Sequence, residues 1–64
     1  MHIIFEDLII NTDHYGSIYM DEDGLEFDTG TVCHTVHGVP SDALQQIAVA
    51  IATDKKFIEL GGHQ

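Results

Sequence analysis

With 64 residues, of which 44% are hydrophobic, the chain is long enough for one small domain and too apolar for a disordered segment. Eleven acidic residues against two lysines give a net charge of −9, which argues against binding to nucleic acid or to an anionic membrane and favours a basic partner. The single cysteine excludes an internal disulfide, no apolar run approaches the ~20 residues of a membrane span, and no signal peptide is recognisable, so we expect a cytoplasmic protein.

The N-terminal part of the sequence predicts β-strands separated by short turns. β-Branched and aromatic residues, with a strict apolar and acidic alternation in the third segment, predict strands at residues 2–10, 15–20, 25–28 and 31–37. Turn-forming residues separate these segments at residues 11–16, 23–24 and 29–30. Asp23 and Gly24 suit the two central positions of a hairpin loop, because both residue types tolerate a positive φ.

A single amphipathic helix is predicted after Pro40, over residues 41–54. Ser41 suits the N-cap position, and Lys55 and Lys56 suit the C-terminal end of the helix dipole. An apolar stripe with i, i+3, i+4 and i+7 spacing is formed by Leu44, Ile47, Ala48 and Ile51. A short last strand at residues 57–60 and a frayed tail at residues 61–64 complete the chain.

These elements predict an α+β fold, with an antiparallel sheet of three to five strands and one helix packed on one face, in a single domain of residues 1–64. The other face of the sheet would be open to solvent or to a partner. A domain of this size buries only about 60% of the surface that its unfolded chain exposes, so a partner or a second copy would stabilise it. The sequence leaves both a monomer and a homodimer open.

The acidic residues are concentrated in the first part of the chain, where residues 1–28 hold eight of the eleven acids and no lysine or arginine. Side chains two residues apart on a strand lie about 6.6 to 7 Å from each other on one face, so Glu26 and Asp28 could approximate backbone phosphates. A basic site that collects phosphates would accept such carboxylates. The predicted partner-binding residues are Asp21, Glu22, Asp23, Glu26 and Asp28, followed by Glu6, Asp7 and Asp13.

Metal binding and catalysis are less favoured. Residues 21–28 offer carboxylates, but an EF-hand that starts at Asp21 would need glycine at its sixth position and glutamate at its twelfth, and this chain has neither there. Cys33 and His37 should share one strand face and His34 the other, which gives fewer converging ligands than structural zinc needs. The chain has little positive charge to activate a thiolate. We therefore expect a non-enzyme without metal or cofactor.

An apolar binding surface is the alternative. Phe27 is expected in the core, whereas Tyr15 and Tyr19 share the strand face opposite Ile18 and Met20, so that one or both should be exposed. Together with the outer side of the helix they would suit a small regulatory or assembly module, such as an antitoxin. In that case the acids only keep the protein soluble.

The whole-chain profile resembles the small acidic phage anti-CRISPR proteins of type I systems, several of which are DNA mimics. The resemblance rests on the length, the net charge of −9, the acidic segment DEDGLEFD and the following segment VPSDALQQIAVAIATDK, and on no specific motif. It implies a stoichiometric inhibitor in the host cytoplasm that occupies the DNA- or PAM-reading basic surface of a Cas subunit. The nearly neutral second half departs from extreme DNA mimics, so the implied mimicry covers a short stretch of DNA.

Overall fold

A computed structural model describes residues 1–61 and shows six strands, a 3₁₀ turn at Thr12–His14 and one α-helix. The elements in chain order are β1 (His2–Phe5), β2 (Leu8–Asn11), β3 (Ser17–Asp21), β4 (Gly24–Asp28), β5 (Cys33–Val36), α1 (Ala43–Ala52) and β6 (Phe57–Glu59). The α+β class and the single helix are confirmed. The strands are divided between two three-stranded sheets, with the orders β2-β1-β6 and β3-β4-β5.

No helix within residues 1–61 has the length and apolar character that crossing a bilayer requires. The frayed tail that the sequence predicts falls mainly on residues 62–64, which lie outside the described part of the chain.

The first sheet forms because the predicted strand at residues 2–10 is interrupted. Glu6 and Asp7 make a two-residue loop, so that Phe5 pairs with Leu8 and the segment folds into the antiparallel hairpin β1–β2. Glu6 has a φ of 53°, and the loop keeps both charged side chains exposed. A single continuous strand was therefore the wrong prediction. β6 pairs with the other edge of β1 in parallel, which makes β1 the central strand.

The second sheet is an antiparallel meander of β3, β4 and β5. Its first hairpin pairs Asp21 with Gly24, so the loop is Glu22–Asp23 and lies one residue earlier than predicted. Gly24 begins β4 instead, with a φ of 140°, and a Cβ atom there would collide with the carbonyl oxygen of Val36. Glycine is thus required at this position by both backbone conformation and space.

Helix α1 is shorter than predicted, and Ser41 is not its N-cap. The N-cap residue is Asp42, whose carboxylate makes no capping bond and instead accepts a hydrogen bond of 2.9 Å from the Gln46 amide. The helix ends where Asp54 adopts a φ of 57°, and the two lysines follow that turn instead of lying in the last helical turn. The helix itself carries no charged residue.

The core lies between the helix and the two sheets. Its fully or nearly fully buried apolar side chains are Ile3, Leu25, Phe27, Ala43, Ile47, Ala50 and Leu60. The predicted core position of Phe27 is confirmed. Of the predicted helix stripe only Ile47 is buried, and the rest of the buried helix face is formed by Ala43 and Ala50, while Leu44 and Ile51 are exposed. Two alanines on the buried face let the helix approach the sheets closely.

Candidate functional site

Two acidic turns lie at one end of the molecule, which we call the acidic end and define by Glu6, Asp7, Asp21, Glu22 and Asp23. Glu6 and Asp7 border a small cleft together with His37. The Nδ1 atom of His37 lies 2.7 Å from the carbonyl oxygen of Asp23. His37 therefore stands between the two turns, and the fold brings together acids that are 14 or more residues apart in the sequence.

The Glu22–Asp23 turn is held by the first residue of the acidic run. One carboxylate oxygen of Asp21 accepts hydrogen bonds from the backbone N–H groups of Asp23 and Gly24, at 2.9 and 3.2 Å. This local ring stabilises the tight loop without help from distant residues. The side chains of Glu22 and Asp23 are left exposed on a fixed backbone.

Glu26 differs from the exposed carboxylate that the strand alternation predicts. It does lie on the face opposite Leu25 and Phe27, yet it is only 4% exposed. One of its oxygens accepts hydrogen bonds from the hydroxyl of Thr35 at 2.6 Å and from the thiol of Cys33 at 3.2 Å, both on the neighbouring strand. A carboxylate this deeply buried offers almost no surface for direct contact with another molecule.

Three carboxylates nevertheless concentrate negative charge beside the turn. Asp21, Asp23 and Glu26 each place an oxygen within 4.8 Å of the others, and within residues 1–61 they are the one such group of potential metal ligands. Oxygen ligands of this kind could hold a hard cation such as calcium. Since Asp21 and Glu26 already accept hydrogen bonds, a cation would compete with the contacts that hold the turn and the sheet.

Cys33 is part of a hydrogen-bonded row across the outer face of the second sheet. Its sulfur also lies 3.8 Å from the hydroxyl of Tyr19, on the far strand. The hydrogen bond to Glu26 raises the pKa of the Cys33 thiol above its usual value, and the contact with Cys33 raises the pKa of Tyr19 to about 12. These neighbours favour the protonated thiol over the thiolate, which is the more nucleophilic form.

Within residues 1–61 the cysteine and the histidines do not form a group of converging metal ligands. Cys33 lies on the same sheet face as Glu26. His34 lies on the other face, where it is the cross-strand neighbour of Phe27, and its ring packs edge-on against Tyr15 at a centroid distance of 6.1 Å. His37 is occupied at the carbonyl of Asp23. The opposite orientation of Cys33 and His34 agrees with the strand alternation in the sequence.

The other predicted acids lie away from the acidic end. Asp28 ends β4, and its carboxylate accepts a 2.7 Å hydrogen bond from the N–H of Gly30, so it stabilises the next turn. Asp13 lies in the 3₁₀ turn and forms an ion pair of 3.4 Å with the N-terminal amino group. The eight predicted residues therefore do not form one patch.

The lysines lie at the opposite end of β1 from Glu6 and Asp7. The N–H of His2 donates a 3.0 Å hydrogen bond to the carbonyl of Lys56, which anchors the Lys55–Lys56 segment beside the first residue of β1. His2 and Glu6 are four residues apart along the strand, so that point is separated from the acidic turn by about 13 Å. Within residues 1–61 neither lysine forms an ion pair with an acid. The charge of the protein is thus polarised along β1.

An apolar groove runs beside the helix and was not predicted as such. It lies between α1 and β3, and in the part of the chain that the structure describes no charged side chain lines it. Leu44 is 37% exposed and Ile51 is 62% exposed along it, so the outer side of the helix offers apolar surface. Tyr19 is 41% exposed on the other sheet face, whereas Tyr15 packs against Phe27 at a centroid distance of 5.4 Å.

Comparison with protein-family models, with curated proteins and with solved structures finds no match to this chain.

Proposed function

We propose that the protein is an acidic binding protein that acts in the cytoplasm by occupying a basic, nucleic-acid-binding surface of a protein partner. Because the sequence resembles type I anti-CRISPR proteins, the partner we propose is a Cas subunit. The observation that carries the proposal is the polarised charge: two exposed acidic turns share one end of the molecule, and both lysines are anchored at the other.

Electrostatics supports binding through this end. At physiological ionic strength the screening length is about 8 Å, so neighbouring carboxylates act together while charges at the far end of β1 contribute less. Glu22 and Asp23 stand on a loop that the Asp21 carboxylate stabilises, so little backbone ordering is required on binding. The buried carboxylate of Glu26 on β4 adds negative charge behind the loop. Asp13, paired with the N-terminal amino group, is not part of the proposed surface.

The test is displacement of DNA from a type I effector complex, measured by fluorescence anisotropy of a labelled PAM-containing duplex. Two variants with equal net charge are compared. The acidic-end variant carries Glu6→Gln, Asp7→Asn, Glu22→Gln and Asp23→Asn. The matched control variant carries Asp13→Asn, Asp42→Asn, Asp54→Asn and Glu59→Gln, all exposed and outside the acidic end.

We expect the wild type and the control variant to displace DNA, and the acidic-end variant to lose most of this activity. Equal loss in both variants would show that only net charge matters. No displacement by the wild type in any type I complex would refute the Cas assignment, and a pull-down from bacterial lysate at low and high salt would then search for another basic partner.

A second candidate function is a regulatory or assembly module that binds through the helix groove. The uncharged helix and the exposure of Leu44 and Ile51 favour it, because a helix that is apolar on most sides is normally covered. The variant Leu44→Ser with Ile51→Ser distinguishes the two. Loss of partner binding in this variant, with normal binding by the acidic-end variant, would favour the module over the acidic inhibitor.

A further inference from the structure

An open cleft separates the two sheets where their edge strands β2 and β5 face each other. The cleft has a volume of about 580 Å³ and is lined by Ile9, Ile10 and Asn11 on one side and by His34 and Thr35 on the other. A second cleft of about 350 Å³ continues it towards the Glu6–Asp7 turn, sharing Thr35 with the first. Together they form a channel along the whole of β2, which we call the sheet cleft.

The backbone of β2 presents to this cleft hydrogen-bonding groups that have no backbone partner within residues 1–61. The N–H of Thr12 donates a 2.9 Å hydrogen bond to the Met1 carbonyl, which makes Met1 and Thr12 a hydrogen-bonded pair. Hydrogen-bonded pairs alternate along an antiparallel ladder, so the next ones between β1 and β2 are Ile3–Ile10 and Phe5–Leu8. Ile9 belongs to a pair that is not hydrogen-bonded, and its N–H and C=O groups point away from β1. Ile4, the partner of Ile9 on β1, likewise points its backbone groups away from β2. Its carbonyl oxygen accepts a 2.8 Å hydrogen bond from the N–H of Leu60 on the β6 side.

The edge of β5 has the same property. Thr29 N–H donates to the Val32 carbonyl at 2.9 Å, which makes Phe27–His34 the next hydrogen-bonded pair of the β4–β5 ladder. Thr35 then belongs to a pair that is not hydrogen-bonded, and its backbone N–H and C=O groups point outwards from β4. Two rows of backbone donors and acceptors thus border one cleft.

β2 also lacks the features that protect sheet edges. Its sequence Leu8–Asn11 contains no proline, no lysine and no other charged residue. Leu8 is 43% exposed and Ile9 is 67% exposed. Unprotected apolar edges of this kind pair readily with an additional strand.

Charge limits which strand fits. One end of the sheet cleft is bordered by Glu6 and Asp7, and the Asp23 turn lies next to it across His37. A basic side chain at that end of a bound segment would be attracted, whereas a second copy of this chain, with its net charge of −9, would be repelled.

We propose that the sheet cleft binds an extended peptide segment of a partner protein by strand addition, with apolar side chains at alternate positions and a lysine or arginine at the Glu6–Asp7 end. The bound strand would hydrogen-bond to β2, to β5 or to both and join the two sheets. β2 has four residues, so the core of the segment has roughly four to six. This inference stands on the cleft and does not depend on the DNA-mimic function.

The experiment is selection of random 12-residue peptides, displayed on phage, on the full-length protein. Selected peptides are then synthesised and their affinity is measured by fluorescence anisotropy. We expect an alternating apolar pattern with a basic residue at one end. N-methylation of alternate peptide amides, which removes strand donors without changing the side chains, should weaken binding roughly tenfold or more.

The matched protein variants are Ile9→Pro and Ile9→Thr. Proline removes only the N–H that points away from β1, so the β1–β2 ladder is retained and the peptide should be lost; threonine keeps the donor and should retain binding. Should Ile9→Pro fail to fold, the N-methylated peptides still decide. Failure to select such peptides, equal binding of methylated and unmethylated peptides, or a dimer in sedimentation that Ile9→Pro abolishes would overturn the proposal.

Discussion

Gly24→Ala should destabilise the protein severely, because Gly24 joins the acidic turn to the second sheet. An alanine Cβ would collide with the Val36 carbonyl oxygen. Val36 cannot move away by itself, because it is paired with Leu25 in the β4–β5 ladder. The positive φ of 140° adds backbone strain. Strain at such a φ costs about 1–3 kcal/mol and a forced overlap about 1–3 kcal/mol more, for roughly 2–6 kcal/mol in total.

This cost is comparable with the whole stability of the domain, which for 64 residues amounts to roughly 3–10 kcal/mol. Gly30→Ala is the matched control, since Gly30 also has a positive φ, 102°, but a Cβ there would meet no atom of residues 1–61 within 4 Å. Urea denaturation followed by circular dichroism measures both. We expect a loss of about 1–3 kcal/mol for the control and a clearly larger loss, or an unfolded protein, for Gly24→Ala. Equal losses in the two variants would refute the close approach of β4 to β5.

Substitutions at Glu26, Thr35 and Ile47 should each remove one identified contact of the fold. Glu26→Gln should speed alkylation of Cys33 by iodoacetamide near neutral pH, because the carboxylate that raises the thiol pKa is gone; mass spectrometry measures the rate. Thr35→Val should cost about 1–3 kcal/mol in urea denaturation, because the Glu26 carboxylate loses its shortest hydrogen bond. Ile47→Ala should cost about 2–5 kcal/mol, whereas Ile51→Ala should stay within about 0.5 kcal/mol.

Each has a contradicting result. An unchanged alkylation rate would mean that Glu26 does not hold the thiol proton. A neutral Thr35→Val would mean that water replaces the hydroxyl at the carboxylate. Equal effects of Ile47→Ala and Ile51→Ala would restore the helix orientation that the sequence pattern predicts.

Local patterns in the sequence were sufficient for much of the fold. The alternation at residues 25–28 correctly placed Leu25 on the same strand face as Phe27, for which a core position was predicted, and both side chains are buried. The helix and the last strand were also predicted, the helix with about two extra residues at each end. The α+β class follows from these local signals alone.

The remaining features depend on long-range pairing. Glu26 is buried because β5 brings Thr35 and Cys33 beside it, and no local pattern encodes that register. The orientation of the helix was mispredicted because hydrophobicity favours the large side chains of Leu44 and Ile51, whereas close packing selected the small Ala43 and Ala50.

In the candidate site, too, the local features were predictable from the sequence and the long-range ones were not. An acidic hairpin turn was predicted from the run of acids before Gly24, with its loop one residue later than the observed Glu22–Asp23. Its proximity to the Glu6–Asp7 turn was not, because it requires both the split of the first strand and the position of His37 between the two loops.

The ionic-strength dependence of association tests the acidic end most directly. The rate constant for binding of the protein to a DNA-free type I effector complex would be measured by stopped flow from about 0.05 M to about 0.5 M salt. For the wild type and for the variant with four neutralised acids outside the acidic end, we predict a fall of roughly tenfold or more over this range. For the acidic-end variant we predict a slow rate that changes little with salt. Two results would contradict binding through the acidic end. One is a wild-type rate constant that does not change with ionic strength, and the other is the same dependence on ionic strength in the two variants.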